Sequence, residues 1–254
     1  MGEAITPPST TLDGRTAIVT GAARGIGRAV AERLATAGAA ITLIDLDGEA
    51  LEATASELRS HGHEVQSVVA DLTVESEVET AVDTAANSHG ALDIVVANAG
   101  RMTNGGVAAT DQAALESGLR TNLVSAYLTS RAALPHIRHS PNGRIILMAS
   151  MAAFDARTVT GVGYALSKAA MTHLAGILAV ELTGTAVTVN AVAPSAVLTE
   201  MSSAFGEEVL AGFAARSPLG RIALPDDVAD VVLFLASDLG GFVNGQTIRI
   251  SGGP

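Results

Sequence analysis

Seven short runs of β-branched and aliphatic residues punctuate the chain, and longer helical stretches separate them. The runs are TAIVT (16–20), AITLID (40–45), EVQSVVAD (64–71), LDIVVAN (92–98), RIILMAS (144–150), AVTVNAV (186–192) and TIRI (247–250). Most are continuously apolar rather than alternating, which suits strands covered on both faces, as in a parallel sheet. The helical stretches lie near 25–37, 48–60, 75–88, 111–138, 164–183 and 225–237. Strand–helix–strand repetition calls for right-handed crossovers. The fold class expected is therefore α/β: one doubly wound parallel sheet of about seven strands with helices on both faces. No linker-like tract interrupts the chain, so residues 12–254 read as one domain preceded by a flexible arm (1–11). The stretch 195–220 breaks the alternation and reads as an inserted loop.

Composition narrows the function. A hydrophobic share of 48% and a mean hydropathy of +0.38 over 254 residues imply a sizeable core rather than disorder. There is no cysteine, so disulfides, thiolate nucleophiles and cysteine metal sites are excluded. A net charge of −11 would repel a phosphate backbone, so no nucleic-acid partner is expected. The start, MGEAITPPST, carries neither a basic nor an apolar leader pattern, and no apolar run approaches bilayer length. A cytoplasmic protein without a membrane partner is expected.

TGAARGIG (20–27) follows the first run and opens the first helical stretch. Gly21, Gly25 and Gly27 would permit a tight turn and close backbone approach. The following helix N-terminus, with Arg24 and Ile26 in the turn, would offer free N–H groups to a pyrophosphate. Asp45 ends the second run, where a carboxylate can accept hydrogen bonds from an adenine ribose. A helix N-cap is the competing role for an acid here, and Asp47 is better placed for it.

GYALSKAA (163–170) sets Tyr164 and Lys168 four residues apart, on one face of a helix. One such pair can arise by chance. A nearby ammonium would nevertheless lower the phenol from its ordinary ~10 toward a usable acid/base at neutral pH.

Taken in order, TGAARGIG, Asp71 in ADLT, NAG (98–100), Asn122, Ser150, YALSK (164–168), NAVAPSAVLTEM (190–201) and GQTIRISGG (245–253) resemble the short-chain dehydrogenase/reductase family over nearly the whole length. The resemblance implies a Rossmann fold and an NAD(H)-dependent oxidoreductase interconverting a secondary alcohol and a ketone. It implies Tyr164 as acid/base and Lys168 as the lysine that also holds the nicotinamide ribose. Ser150 would donate a hydrogen bond to the substrate oxygen, and Asn122 would hold a proton-relaying water. It further implies that Asp71 and Leu72 flank the adenine, that Asn98, Ala99 and Gly100 bracket the cofactor, and that Pro194, Val197 and Thr199 lie by the nicotinamide. A homodimer or homotetramer is implied as well.

Three departures from that pattern stand out. Ala97 occupies a position where a second Asn is frequent. Ser195 replaces a glycine after Pro194. Ser150 and Tyr164 are one residue further apart than in close relatives, so the segment between them should bulge differently.

The histidines do not suggest a metal: His61 and His63 read as surface loop, His136 and His139 as a solvated helix end, and His173 as packed or interfacial. Asp226 and Asp227 after Pro225 read as a helix start. Val197, Leu198, Met201, Phe205, Leu210 and Phe213 are candidate pocket walls. Glu200, Glu207 and Glu208 beside them suggest a neutral, partly apolar substrate. Two alternatives stay open. One is a 3-oxoacyl-[acyl-carrier-protein] reductase-like ketoreductase, which the absence of basic residues after Lys168 in KAAMTHLAGILAVELTGT disfavours. The other is a non-catalytic dinucleotide sensor.

Overall fold

The computed structural model describes residues 9–156, 160–203 and 205–253. Most of the expected arm (1–8), residues 157–159 of the segment between Ser150 and Tyr164, Ala204 and Pro254 lie outside the described residues.

The chain alternates as expected: β1 (Thr16–Thr20), α1 (Gly25–Thr36), β2 (Ala40–Asp45), α2 (Gly48–Ser60), β3 (Val65–Val69), α3 (Glu75–His89) and β4 (Ile94–Ala97) form the first half. α4 (Gln112–Leu119), α5 (Ser125–Ile137), β5 (Arg144–Met148), α6 (Val162–Glu181), β6 (Thr188–Pro194), α7 (Glu200–Ser203), α8 (Glu207–Arg216), α9 (Pro225–Ala236) and β7 (Thr247–Ile250) complete it. All seven strands run parallel in the order β3-β2-β1-β4-β5-β6-β7. The order reverses between β1 and β4, and at such a switch point the connections leave the sheet on opposite faces and open a crevice.

The continuous apolar runs are explained by burial on both sides. Ala17 and Val19 of β1 face a core with Val30 and Leu34 of α1 and Val228 and Val232 of α9. Ile18 between them faces the opposite core, with Val78 and Val82 of α3, Ile137 of α5 and Met171 of α6. Asp47 caps α2 by accepting from the Ala50 N–H at 3.1 Å, the role its position suggested. Pro225 opens α9, and Asp227 accepts from the Leu224 N–H at 2.7 Å. Among the described residues no helix is long and apolar enough to cross a membrane.

Two stretches differ from expectation. The helix expected over 111–138 is interrupted by a π-helical turn, Arg120–Val124. The Asn122 side chain donates to the Gly118 carbonyl at 2.9 Å, the acceptor that its own backbone N–H would use in an α-helix. The ladder opens to the longer spacing there, and the Ser125 N–H reaches back to the Arg120 carbonyl. The expected loop over 195–220 instead contains α7 and α8.

Candidate active site

The C-terminal ends of β1, β4, β5 and β6 meet along one edge of the sheet, beside a cavity of about 1100 Å³. The cavity is lined at one part by the glycine-rich turn and at another by Ser150, Tyr164 and Lys168.

The turn after β1 is held by contacts that only glycine allows. Gly25 takes φ +58°, in the left-handed region. A Cβ on Gly27 would lie 2.0 Å from the Gly21 carbonyl oxygen and 2.6 Å from the Asn98 side-chain nitrogen. The Asn98 amide donates to the Thr20 and Gly21 carbonyls at 2.9 and 3.1 Å, so it braces the turn itself. The Thr20 hydroxyl accepts from the backbone N–H groups of Asn98 and Ala99 at 3.0 Å each, joining the ends of β1 and β4. Sequence reasoning missed Thr20; its position directly before Gly21 was the available signal. The first turn of α1 has no side-chain cap, which leaves its N–H groups directed at the cavity end of the helix. This cradle fits a pyrophosphate.

Asp45 accepts from the backbone N–H groups of Ala23 and Asp47, both at 3.1 Å, and faces the cavity. Arg24 pairs with Asp47 and, at 3.3 Å, with Glu200 of α7. Asp71 accepts from the Thr73 N–H at 2.8 Å, and this hydrogen bond holds its carboxyl below the usual range.

Tyr164 enters the site on the first turn of α6. Its backbone N–H donates to the Thr103 hydroxyl at 3.0 Å, a cap supplied from the segment after β4 that sequence reasoning missed. Ser150 lines the cavity beside Tyr164, and its hydroxyl acts on the phenol to lower its pKa. Lys168 is 3% exposed; its Nζ donates to the Met148 carbonyl at 2.5 Å and lies 5.5 Å from the Tyr164 ring centroid. Burial pushes the Lys168 ammonium down to about 8. Burial also pushes the Tyr164 phenol up, against a smaller lowering from Ser150. The lowering expected from Lys168 does not appear here: removal from water raises the phenol, and what opposes the rise is Ser150.

Gly21, Arg24, Gly25, Ile26, Gly27, Asp45, Asp71, Leu72, Asn98, Ala99, Gly100, Ser150, Tyr164, Lys168, Pro194, Val197 and Thr199 all line the cavity. Asn122 does not. It is fully buried, its amide donates to the Arg101 and Gly118 carbonyls at 3.0 and 2.9 Å, and its carbonyl oxygen accepts from the Arg101 N–H at 2.9 Å. That oxygen would lie 2.5 Å from a Cβ on Gly100, so the side chain packs on the NAG segment rather than facing a ligand.

The remaining departures are mild. Ala97 is buried at the end of β4. Among the described residues no non-glycine has positive φ, so Ser195 sits in backbone that any residue adopts, with its N–H on the Ile250 carbonyl at 2.9 Å. Of the candidate pocket walls, Val197, Met201, Phe205 and Phe213 line the cavity; Leu198 and Leu210 do not. Of the three acids taken to suggest a neutral substrate, Glu200 is paired with Arg24, and Glu207 and Glu208 are exposed in the first turn of α8, away from the cavity lining. His136 pairs with Asp83 and His89 with Glu64; among the described residues no cluster of three metal-binding side chains forms.

Comparison with known proteins adds to this geometry. The family model described as enoyl-(acyl carrier protein) reductase matches residues 21–254. The chain is 34% identical to the 3-oxoacyl-[acyl-carrier-protein] reductase FabG of Aquifex aeolicus, over 95% of this chain and 98% of that one. A 7α-hydroxysteroid dehydrogenase structure, complexed with NADH and 7-oxo glycochenodeoxycholic acid, superposes with a TM-score of 0.91 at 31% identity, covering 98% of both chains. A short chain dehydrogenase from Burkholderia cenocepacia in complex with NADP superposes with a TM-score of 0.89 at 32% identity, covering 95% and 98%.

Proposed function

The chain belongs to the short-chain dehydrogenase/reductase family, and on that premise we propose that it interconverts a secondary alcohol and a ketone with NAD, using Tyr164 as the acid/base. The family's activity on CH–OH groups makes it an oxidoreductase acting with a nicotinamide dinucleotide. The observation that carries the catalytic assignment is the Ser150–Tyr164–Lys168 group in the same cavity as the glycine cradle.

Bound nicotinamide supplies the hydride acceptor in alcohol oxidation and the hydride donor in ketone reduction. The chain's own residues handle the proton. The Tyr164 phenol would donate its proton to the substrate oxygen in reduction, and its phenolate would accept the hydroxyl proton in oxidation. Ser150 donates a hydrogen bond to the same oxygen and opposes the rise in the phenol's pKa. Lys168, still largely protonated at pH 7, supplies positive charge beside the ring and a donor for the ribose. Asn122 acts as a positioning residue, fixing Arg101 and the π turn; the relay water that the family resemblance implies would meet the backbone there, since the side-chain amide is already engaged.

The preference for NAD over NADP rests on Asp45, which would face a 2′-phosphate, and on Arg24, whose charge is engaged by Asp47 and Glu200. The carrier-protein reading is weaker, because α6 carries no basic residue after Lys168 to meet an acidic carrier. A sensor without catalysis would have no use for Ser150 and Tyr164 together on the cavity wall. Val124, Tyr127, Leu166, Ile177 and Val180 leave apolar surface exposed from the π turn through α5 and on α6, which supports pairing with a second copy there. Light scattering at micromolar concentration should give at least a dimer.

A panel of secondary alcohols with NAD, followed by NADH absorbance, tests the function. Turnover of some member is expected; none, with either cofactor and in either direction, would sink the reading.

A further inference from the structure

Four cationic side chains line the cavity among the described residues: Arg24, Lys168, Arg216 and Arg221. Three are already engaged. Arg24 pairs with Asp47 and Glu200. Arg221 holds Asp227 through two bonds of 2.5 and 2.7 Å. Lys168 donates to the Met148 carbonyl.

Arg216 is different. It closes α8, and its guanidinium carbon stands 4.8 Å from the centroid of the Phe213 ring, which also lines the cavity. Phe213 in turn packs on Phe205, with ring centroids 6.1 Å apart. Among the described residues no carboxylate bonds Arg216. Stacking occupies the face of a guanidinium and leaves its in-plane N–H donors available, while limiting the conformations the side chain must give up on binding. A cation in the last turn of a helix also complements the dipole, but that role requires neither an aromatic platform nor a place on the cavity wall.

We propose that Arg216 binds a carboxylate carried by the substrate, so that the substrate is a hydroxy acid, and the product an oxo acid, with an apolar body lying against Phe205 and Phe213. The inference rests on the oxidoreductase reading and adds the substrate's charge to it. Asp155 lines the same cavity but is engaged in an interaction of its own, Glu200 is paired with Arg24, and Glu207 and Glu208 are exposed outside the cavity lining, so none of these acids is paired with Arg216. A carboxylate matches the guanidinium fork with two parallel hydrogen bonds, which an ester or amide cannot make.

The test has a turnover arm and a binding arm. With NAD, 3-hydroxybutyrate, 5-hydroxyhexanoate and 7-hydroxyoctanoate are each compared with the methyl ester. At least one acid should exceed its ester in kcat/KM by about tenfold or more, as expected for a partly solvated charge-assisted pair. Arg216→Met should bring that ratio close to one, and Arg216→Lys should keep part of it. Independently of turnover, calorimetry of the protein saturated with NADH compares cyclohexanecarboxylate with cyclohexanecarboxamide. The carboxylate should bind about tenfold more tightly, and Arg216→Met should abolish the difference. Equal or undetectable binding of the two, or an acid-to-ester ratio that Arg216→Met leaves unchanged, overturns the inference. A carboxylate preference in binding without oxidation of any alcohol would leave the anion site standing and remove the oxidoreductase reading instead.

Discussion

Lys168 stands beside the Tyr164 ring, its ammonium 5.5 Å from the ring centroid, and gives a hydrogen bond to the Met148 carbonyl at 2.5 Å. The two residues share a helix face, as their spacing requires, and the ammonium's hydrogen bond goes to the end of β5.

Tyr164→Phe removes the only proposed proton donor and keeps the ring that packs in the cavity. Turnover should fall by ~10²–10⁴-fold, the usual contribution of a general acid/base group. NADH binding, read by fluorescence titration, should stay near wild type. Near-normal turnover would show that another group handles the proton.

The buried Lys168 makes a stability signature with a definite sign. Its pKa is about 8 when folded, against an ordinary 10.5. Between these values the unfolded chain holds a proton that the folded chain lacks, so stability rises with pH across that window. Below about pH 8 both states hold the proton and the cost of burying the charge is fully present. Relative to Lys168→Met, the ligand-free wild type should gain up to about 3 kcal/mol from pH 7.5 to 10.5 in urea unfolding. A difference that does not change with pH would mean that the ammonium is solvated.

Gly27→Ala tests the cradle. Its new Cβ would meet the Gly21 carbonyl at 2.0 Å, and backbone cannot swing aside as a flexible side chain can. Destabilisation of about 1–3 kcal/mol is expected, as for other overpacked sites, together with at least a tenfold loss of NADH affinity. Unchanged affinity would show that the turn relaxes without consequence for the dinucleotide.

Cofactor choice should follow Asp45. A 2′-phosphate beside that carboxylate would be repelled, and Arg24 is held by two acids, so NAD should be preferred by at least about 100-fold in kcat/KM, roughly 2.7 kcal/mol. Asp45→Ser should narrow the gap. Glu200→Gln should narrow it less, by releasing one of the two partners of Arg24. Equal kcat/KM for the two cofactors in the wild type would show that Arg24, not Asp45, governs the choice.

Much of the fold was legible in the chain itself. Burial on both faces of a parallel sheet forces near-continuous apolar runs, and β1 and β2 lie where those runs lie, because hydrophobic pattern and strand propensity are local properties. The glycine-rich turn was legible because its backbone tolerates so few residue types. Tertiary structure decided what local pattern cannot carry. The Asn122 amide bonds Gly118 and Arg101 and stays out of the cavity, a choice fixed by how the π turn packs on the NAG segment. The Tyr164 phenol rises rather than falls, because desolvation depends on every element closing round the site and not on a neighbour four residues away. Among the charges of the 195–220 segment, the sequence could count three acids but not see which faced the cavity. Glu200 reaches Arg24 from a distant part of the chain, while Arg221 is taken by its near neighbour Asp227, and among the described residues of the cavity wall this leaves Arg216 as the cation without a carboxylate partner, since ion pairs are chosen by distance in space.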